Sequence, residues 1–107
     1  MNIYISLPIS GQPTKSRMAY AEQVKNELTE AFWRRERAFD NESELNIITP
    51  FDVCPEPDKP YSYYMGKDIE ALLECDAIFL CEGWQNSKGC MAEFEVARIY
   101  GKEIMFE

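Results

Sequence analysis

The chain has no histidine. That absence removes Ser-His-Asp and Cys-His catalysis, and with them every mixed Cys/His zinc site. Its four cysteines, Cys54, Cys75, Cys81 and Cys90, form no C-x-x-C pair, so an all-cysteine metal site has the wrong spacing as well. No metal site is therefore expected. Three thiols read as small core residues and Cys54 as a loop residue. Any acid–base or nucleophilic work falls to carboxylates, tyrosine, lysine or serine.

Basic residues are scarce too. Eleven Lys plus Arg stand against 19 Asp plus Glu, a net charge of −8. A surface that follows a nucleic-acid backbone needs the opposite sign, so no nucleic acid polymer is expected as a partner. The one basic cluster, Trp33 to Arg37, reads as the solvated end of a long helix. A single phosphate is not excluded, because backbone N–H groups at a helix N-terminus hold one whatever the net charge. Long hydrophobic runs are missing as well, and the opening MNIYISLPIS lacks the basic region and cleavage site of a signal peptide. The expected location is the cytoplasm, with no membrane partner.

What is present is the composition of a globular protein, with 46% hydrophobic and 28% charged residues over 107 positions. That length suits one domain, residues 1–107, able to bury a core. Asn2 to Ser6 is a β-branched and aromatic run ended by the turn residues of LPISGQP. Met18, Ala21, Val24, Leu28, Ala31 and Phe32 recur at helical spacing and predict a helix from about Thr14 to Ala38. Asn46 to Thr49 is a second short strand stopped by Pro50. Pro50 to Pro60 holds four prolines and is expected to be a loop. Helical spacing resumes from Tyr61 to Glu74, and Ala77 to Cys81 is an apolar run suited to a strand covered on both faces. After the loop EGWQNS comes a helix closed by Gly101, then a last strand from Glu103 to Phe106. The order β-α-β-α-β-α-β predicts an α/β fold: a three-layer, Rossmann-like or flavodoxin-like domain whose four-stranded parallel sheet carries helices on both faces. Ligands of such sheets sit beyond the carboxyl ends of the strands, where the strand order reverses.

Glu93 is out of place in that scheme. At about 100° per residue, Ala92, Val96, Tyr100, Ala97, Cys90 and Phe94 form one apolar arc, with Lys88, Met91, Glu95 and Arg98 opposite. Glu93 falls near the middle of the arc. A carboxylate taken out of water is costly without compensation, so the fold either pairs it or uses it. Asp68 is a second case, bordering the apolar stripe of its helix near Tyr61 and Tyr64. Asp76, just before the third strand, suits a turn cap or a site contact.

Read in order, these residues carry a resemblance. Tyr4 in YISLP, Asp68 and Asp76 in DIEALLECD, Ser87, and GCMAEFEVARIYGK resemble the nucleoside 2-deoxyribosyltransferase-like superfamily, over nearly the whole chain. Its members show Y-x-x-x-P after the first strand, D-x-x-x-x-x-x-x-D before the third, and G-x-x-x-E-x-x-x-A-x-x-x-G-K around a nucleophile. GW-x-N-S-x-G ahead of the glutamate is most similar to a compact family of that superfamily whose function is not established. Leu7 departs from the pattern, standing where many members have glycine.

The resemblance implies N-glycosidic bond cleavage of a 2′-deoxynucleoside or its 5′-monophosphate, by hydrolysis or by deoxyribosyl transfer, with no cofactor. Glu93 is implied as the nucleophile, Asp68 as the acid toward the leaving base, and Tyr4 as the phenol that holds Glu93. Ser87 matches the position where the transferases carry an aspartate for the 5′-hydroxyl and the monophosphate hydrolases a serine. A serine there is compatible with phosphate at a helix start, and it also suits an N-cap. Ser10, Gly11 and Gln12, with Lys15 or Arg17, are implied to close a phosphate pocket that includes Gly89. Trp84 would stack on a base or meet another subunit. The implied partners are a small-molecule nucleoside or nucleotide and further copies of the chain, as a homodimer or larger homo-oligomer, with exposed Trp33 in support. Two other readings stand beside this one: a nucleotide-binding module without chemistry, and an interaction protein presenting Trp33, Trp84, Tyr61, Tyr63 and Tyr64.

Overall fold

Strand β1 (Asn2–Ser6) divides its side chains between two environments. Ile3 and Ile5, followed by Leu7, pack on one face with Ala21 and Val24 of helix α1 (Thr14–Glu36). Tyr4 enters the other face with Leu72 and Ala97. This is the two-residue period of an extended chain, with apolar cover on both sides. The computed structural model describes residues 1–36 and 45–107.

The remaining strands are β2 (Asn46–Ile48), β3 (Ala77–Leu80) and β4 (Glu103–Phe106). All pairings are parallel and the sheet order is β2-β1-β3-β4. Register sets Tyr4 beside Ile48 and Ile78, and Ser6 beside Leu80. Helices α3 (Tyr61–Leu73) and α4 (Lys88–Ile99) cover the face opposite α1, as right-handed crossovers require. The sheet is thus the middle of three layers, with a core on each side. Burying one Ile or Leu completely contributes roughly 1.5–3 kcal/mol, which makes β1 and β3 the best-anchored elements.

From β1 the chain steps out to β2 and then returns past β1 to β3. The strand order therefore reverses between β1 and β3, and a crevice opens beyond their carboxyl ends. The loops after these two strands meet there: a Cβ placed on Gly83 would lie 3.6 Å from Pro8 Cγ. Gly83 has φ of 88°, a left-handed turn that glycine takes without strain and that starts the single 3₁₀ turn Trp84–Asn86.

The Pro50–Pro60 segment differs from expectation. Its first four residues form a short helix, α2 (Pro50–Val53). Thr49 is not part of β2 but the N-cap: its side chain accepts from Asp52 N–H at 3.2 Å, while Asp52 Oδ2 accepts from Thr49 N–H at 3.0 Å. Proline costs nothing at a first helical position, where its missing N–H would have had no partner. Beyond α2 the chain is irregular as expected, fastened by Tyr64, whose hydroxyl donates to Glu56 O and accepts from Lys59 N–H. The predicted end of α1 at Arg37 and Ala38 lies outside the described residues.

Candidate active site

Tyr4 and Ser6 both face the side of the sheet that α4 covers, and α4 brings Glu93 down between them. Tyr4 O–H donates to Glu93 Oε2 at 2.8 Å. Ser6 O–H donates to Glu93 Oε1 at 2.6 Å. Each carboxylate oxygen thus has a hydroxyl donor, and the three side chains are 0%, 0% and 4% exposed for Tyr4, Ser6 and Glu93. Two short bonds to an acid are strong compensation for its removal from water. The pairing expected for Glu93 is therefore made by hydroxyls, with no cation among its partners.

Asp68, on the facing side of α3, is 9% exposed, and its Oδ1 is buried without a hydrogen-bond partner. Burial pushes its pKa up to about 6, against a smaller lowering by the Tyr4 hydroxyl. Burial pushes Glu93 up to about 7; the Ser6 and Tyr4 hydroxyls lower it and the charge of Asp68 raises it further. Tyr4 rises well above its usual value, first through burial and then through the negative charge of Glu93 and Asp68. The site is a buried carboxyl pair coupled through space, with one phenol touching both members' ionisation.

The start of α4 forms the rim. Ser87 is its N-cap, accepting from Cys90 N–H at 3.2 Å. Gly89 lies under Tyr61, whose hydroxyl would be 3.2 Å from a Cβ added there. Cys90 faces inward, its thiol raised by burial and lowered by the Ser6 and Ser87 hydroxyls. One continuous group, from Ser87 through Cys90 and Ser6 to Glu93, therefore runs from rim to floor.

Other residues singled out above sit elsewhere. Ser10, Gly11 and Gln12 form an exposed turn beyond β1, with Gln12 N–H donating to Ile9 O at 3.1 Å and Gly11 at φ of 77°. Trp84 packs against Phe94 and Phe106, at ring separations of 4.9 and 5.9 Å. Together with Gln85, Met91, Ala92 and Glu95 it borders an open, largely apolar cleft of about 390 Å³ along the flank of α4. Asp76 is at the far end of the sheet, where its Oδ2 accepts from Asn2 N–H at 2.7 Å and fixes the start of β1. Ala92 and Tyr100, expected in the apolar arc of α4, are exposed; the covered residues are Cys90, Glu93 and Ala97. The arc is narrower than expected and centred on Glu93, because the sheet and α3 meet only that strip.

Ser6 is the residue that sequence reasoning overlooked. The signal was available: two residues after Tyr4 on a strand is the same face. Among the described residues no group of three or more His, Cys, Asp or Glu is placed to hold a metal ion, and no helix is long and apolar enough to cross a membrane.

The four-stranded parallel sheet, ordered β2-β1-β3-β4 with helices on both faces, has the nucleoside 2-deoxyribosyltransferase-like fold. A solved structure with this fold, a 2-desoxiribosyltransferase from Leishmania mexicana, superposes with a TM-score of 0.56 at 20% identity, over 98% of this chain and 62% of that one. The chain thus spans less than two thirds of that protein's length. It belongs to the family described as a domain of unknown function, DUF4406, which matches residues 1–106. No curated protein matches it.

Proposed function

We propose that the protein cleaves the N-glycosidic bond of a 2′-deoxynucleoside or its 5′-monophosphate through a glutamyl ester on Glu93. The observation that carries this reading is the seating of Glu93: a nearly fully buried acid, each oxygen held by a hydroxyl, beside a second buried acid with an oxygen left unpartnered. A purely structural carboxyl in that place would be replaceable by an apolar side chain of similar volume.

The step is a displacement at C1′. A Glu93 oxygen forms a bond to C1′ as the bond to the base nitrogen breaks, and Asp68 gives its proton to that nitrogen. Water then attacks C1′, its proton passing to Asp68, and the ester C–O bond breaks to restore the Glu93 carboxylate. A second base in place of water gives transfer. The missing 2′-hydroxyl eases the oxocarbenium-like transition state. Dry surroundings strengthen each of these polar contacts.

Support for the substrate class is the fold shared with a 2-desoxiribosyltransferase, together with the rim. We assign Ser87 and Gly89 to the 5′ end of the substrate, with Ser10, Gly11 and Gln12 on the loop across the crevice. Trp84, engaged with Phe94 and Phe106 on the flank of α4, takes no part in this assignment. Assembly into a homo-oligomer belongs to the same proposal, supported by Trp33, 40% exposed on α1.

The test is chromatographic. The protein, Glu93→Gln and Glu93→Ala are incubated with each 2′-deoxynucleoside and each 5′-monophosphate, and free base is quantified. Release by the unaltered protein and loss of at least about 1000-fold in both variants is the expected result. Equal release by all three, or none by any, removes the reading.

A further inference from the structure

Glu93 is 4% exposed and Asp68 9%, so no substrate reaches either acid until a side chain above them moves. The helices show which side chains those are. In this parallel sheet α3 and α4 both begin at the carboxyl edge and run back from it, so their first turns stand at the mouth and their second turns below. Along α3 one face carries Tyr61, Met65 and Asp68; along α4 one face carries Gly89 and Glu93. The two stacks meet at the top. A Cβ on Gly89 would lie 3.2 Å from the Tyr61 hydroxyl, 3.6 Å from Met65 Sδ and 4.0 Å from Ser87 Oγ. Tyr61 thus reaches from one helix to fill the notch that glycine leaves in the other.

We propose that Tyr61 is the gate of the acid pair, its ring sealing the port over Gly89 and turning outward to admit the sugar and base. The proposal rests on the reading of Glu93 as nucleophile and Asp68 as acid. Asp68 Oδ1, buried with no hydrogen-bond partner, marks where a polar atom of the ligand arrives beneath that gate.

Among the groups around the port, Tyr61 is the one free to move. Ser87 is fixed as the N-cap of α4, accepting from Cys90 N–H at 3.2 Å. Gly89 has no side chain, and Met65 is half-buried one turn down. Tyr61 is 57% exposed, and its hydroxyl donates to Met65 Sδ at 3.5 Å, a weak acceptor. Turning the ring into solvent gives up little beyond that contact, and exposed side chains change rotamer on the fastest conformational timescale. The backbone beneath it is held. Tyr63 N–H donates to Pro60 O at 3.0 Å, and Tyr64 fastens the preceding loop at Glu56 O and Lys59 N–H. The gate is therefore one side chain on an anchored helix start, not a moving loop.

The test reads access to Glu93 in full-length protein. Carboxyls are labelled with a water-soluble carbodiimide and glycine ethyl ester at about pH 5, where both acids carry protons. Trypsin cuts after Lys88 and after Arg98, so Glu93 and the exposed Glu95 fall in one peptide and their labelling ratio is read by mass spectrometry without an outside standard. A sulfur–aromatic contact at the strong end of its range keeps a ring closed by about tenfold, so Tyr61→Ala is expected to raise the ratio of Glu93 to Glu95 labelling by about that factor. Tyr61→Phe keeps the ring and is expected to leave the ratio unchanged. Tyr64→Phe releases the loop but not the ring, and is expected to leave it unchanged as well. No rise in Tyr61→Ala, or an equal rise in Tyr64→Phe, overturns the gate. Base release is measured on the same proteins. Release with an unchanged ratio in Tyr61→Ala removes the gate and leaves the reaction standing. A raised ratio without release keeps the gate over the acids and removes the reaction.

Discussion

Ser6 and Glu93 lie 87 positions apart in sequence and are joined by a hydrogen bond of 2.6 Å. The bond ties the carboxyl end of β1 to the second turn of α4, across the point where the strand order reverses. It also completes what Tyr4 begins, since neither hydroxyl alone engages both oxygens of Glu93.

Removing that hydroxyl tests its share of the work. A hydrogen bond to a charged group is worth roughly 1.5–3 kcal/mol, so Ser6→Ala is expected to lower the turnover number about 10- to 100-fold. It should also push Glu93 above its present value of about 7 and move the acidic limb of the pH–rate profile to higher pH. Ser6→Thr keeps the hydroxyl and restores both. If Ser6→Ala leaves the profile in place, the bond has no part in setting Glu93's ionisation.

Stability should depend on pH in a direction opposite to that of most acidic proteins. Asp68 and Glu93 have native values near 6 and 7, above their ordinary 3.8 and 4.5. A carboxyl raised on folding binds its proton more tightly in the native state. The stability this contributes is complete below the ordinary value and is lost as pH rises through about 6 and about 7. The melting temperature is expected to fall as pH rises from about 4, where the ordinary values lie, to about 7. Glu93→Gln should remove about 3 kcal/mol of that fall, and parallel melting curves for the two proteins across this range would count against it.

Ser87 has two roles that can be separated. Ser87→Ala removes the N-cap of α4 and is expected to cost about 1 kcal/mol by chemical denaturation. Ser87→Asp keeps a capping oxygen, and so keeps stability, but places negative charge where the 5′-phosphate is proposed to sit. Binding of a 2′-deoxynucleoside 5′-monophosphate, followed by calorimetry, should weaken at least about tenfold in Ser87→Asp while the free nucleoside is little affected. Equal effects on both ligands would place the phosphate elsewhere.

Gly89→Ala offers a similar division. The added Cβ would stand 3.2 Å from the Tyr61 hydroxyl, the far end of an exposed side chain that can yield. Alanine is the better helix former by about 1 kcal/mol, so thermal stability is expected to hold or rise. If Gly89 leaves room for a ligand, binding falls at the same time. A variant that melts higher and binds as before would show that the glycine serves no ligand.

Much of the fold was legible before any coordinates. The β-α order, the strand boundaries to within a residue and the positions of helices α1, α3 and α4 follow from side-chain period and from proline and glycine punctuation, although Met18, Ala31, Leu73, Ala92 and Tyr100, expected in their apolar stripes, are exposed. The misplaced acids were legible for the same reason, because a carboxyl flanked by Cys90 and Ala97 at three and four positions shares their face. The short helix α2 was missed because proline was read as a breaker, whereas T-P-F-D carries both a capping box and a first-turn proline. Trp84 was open between two roles, and its packing on Phe94 and Phe106 depends on how β4 and α4 converge.

The sequence by itself determined which side chains share a face, because that depends only on the local period of strand or helix. Tyr4 with Ser6, and Cys90 with Glu93 and Ala97, needed nothing else. Which faces meet was decided by the tertiary structure alone. The return of the chain past β1 sets α3 and α4 over the strand that carries Tyr4 and Ser6, and there two hydroxyls meet Glu93, with Asp68 close enough for its charge to be felt. Hydrogen bonds and carboxyl coupling act over a few ångströms, a distance that spacing along a chain does not encode.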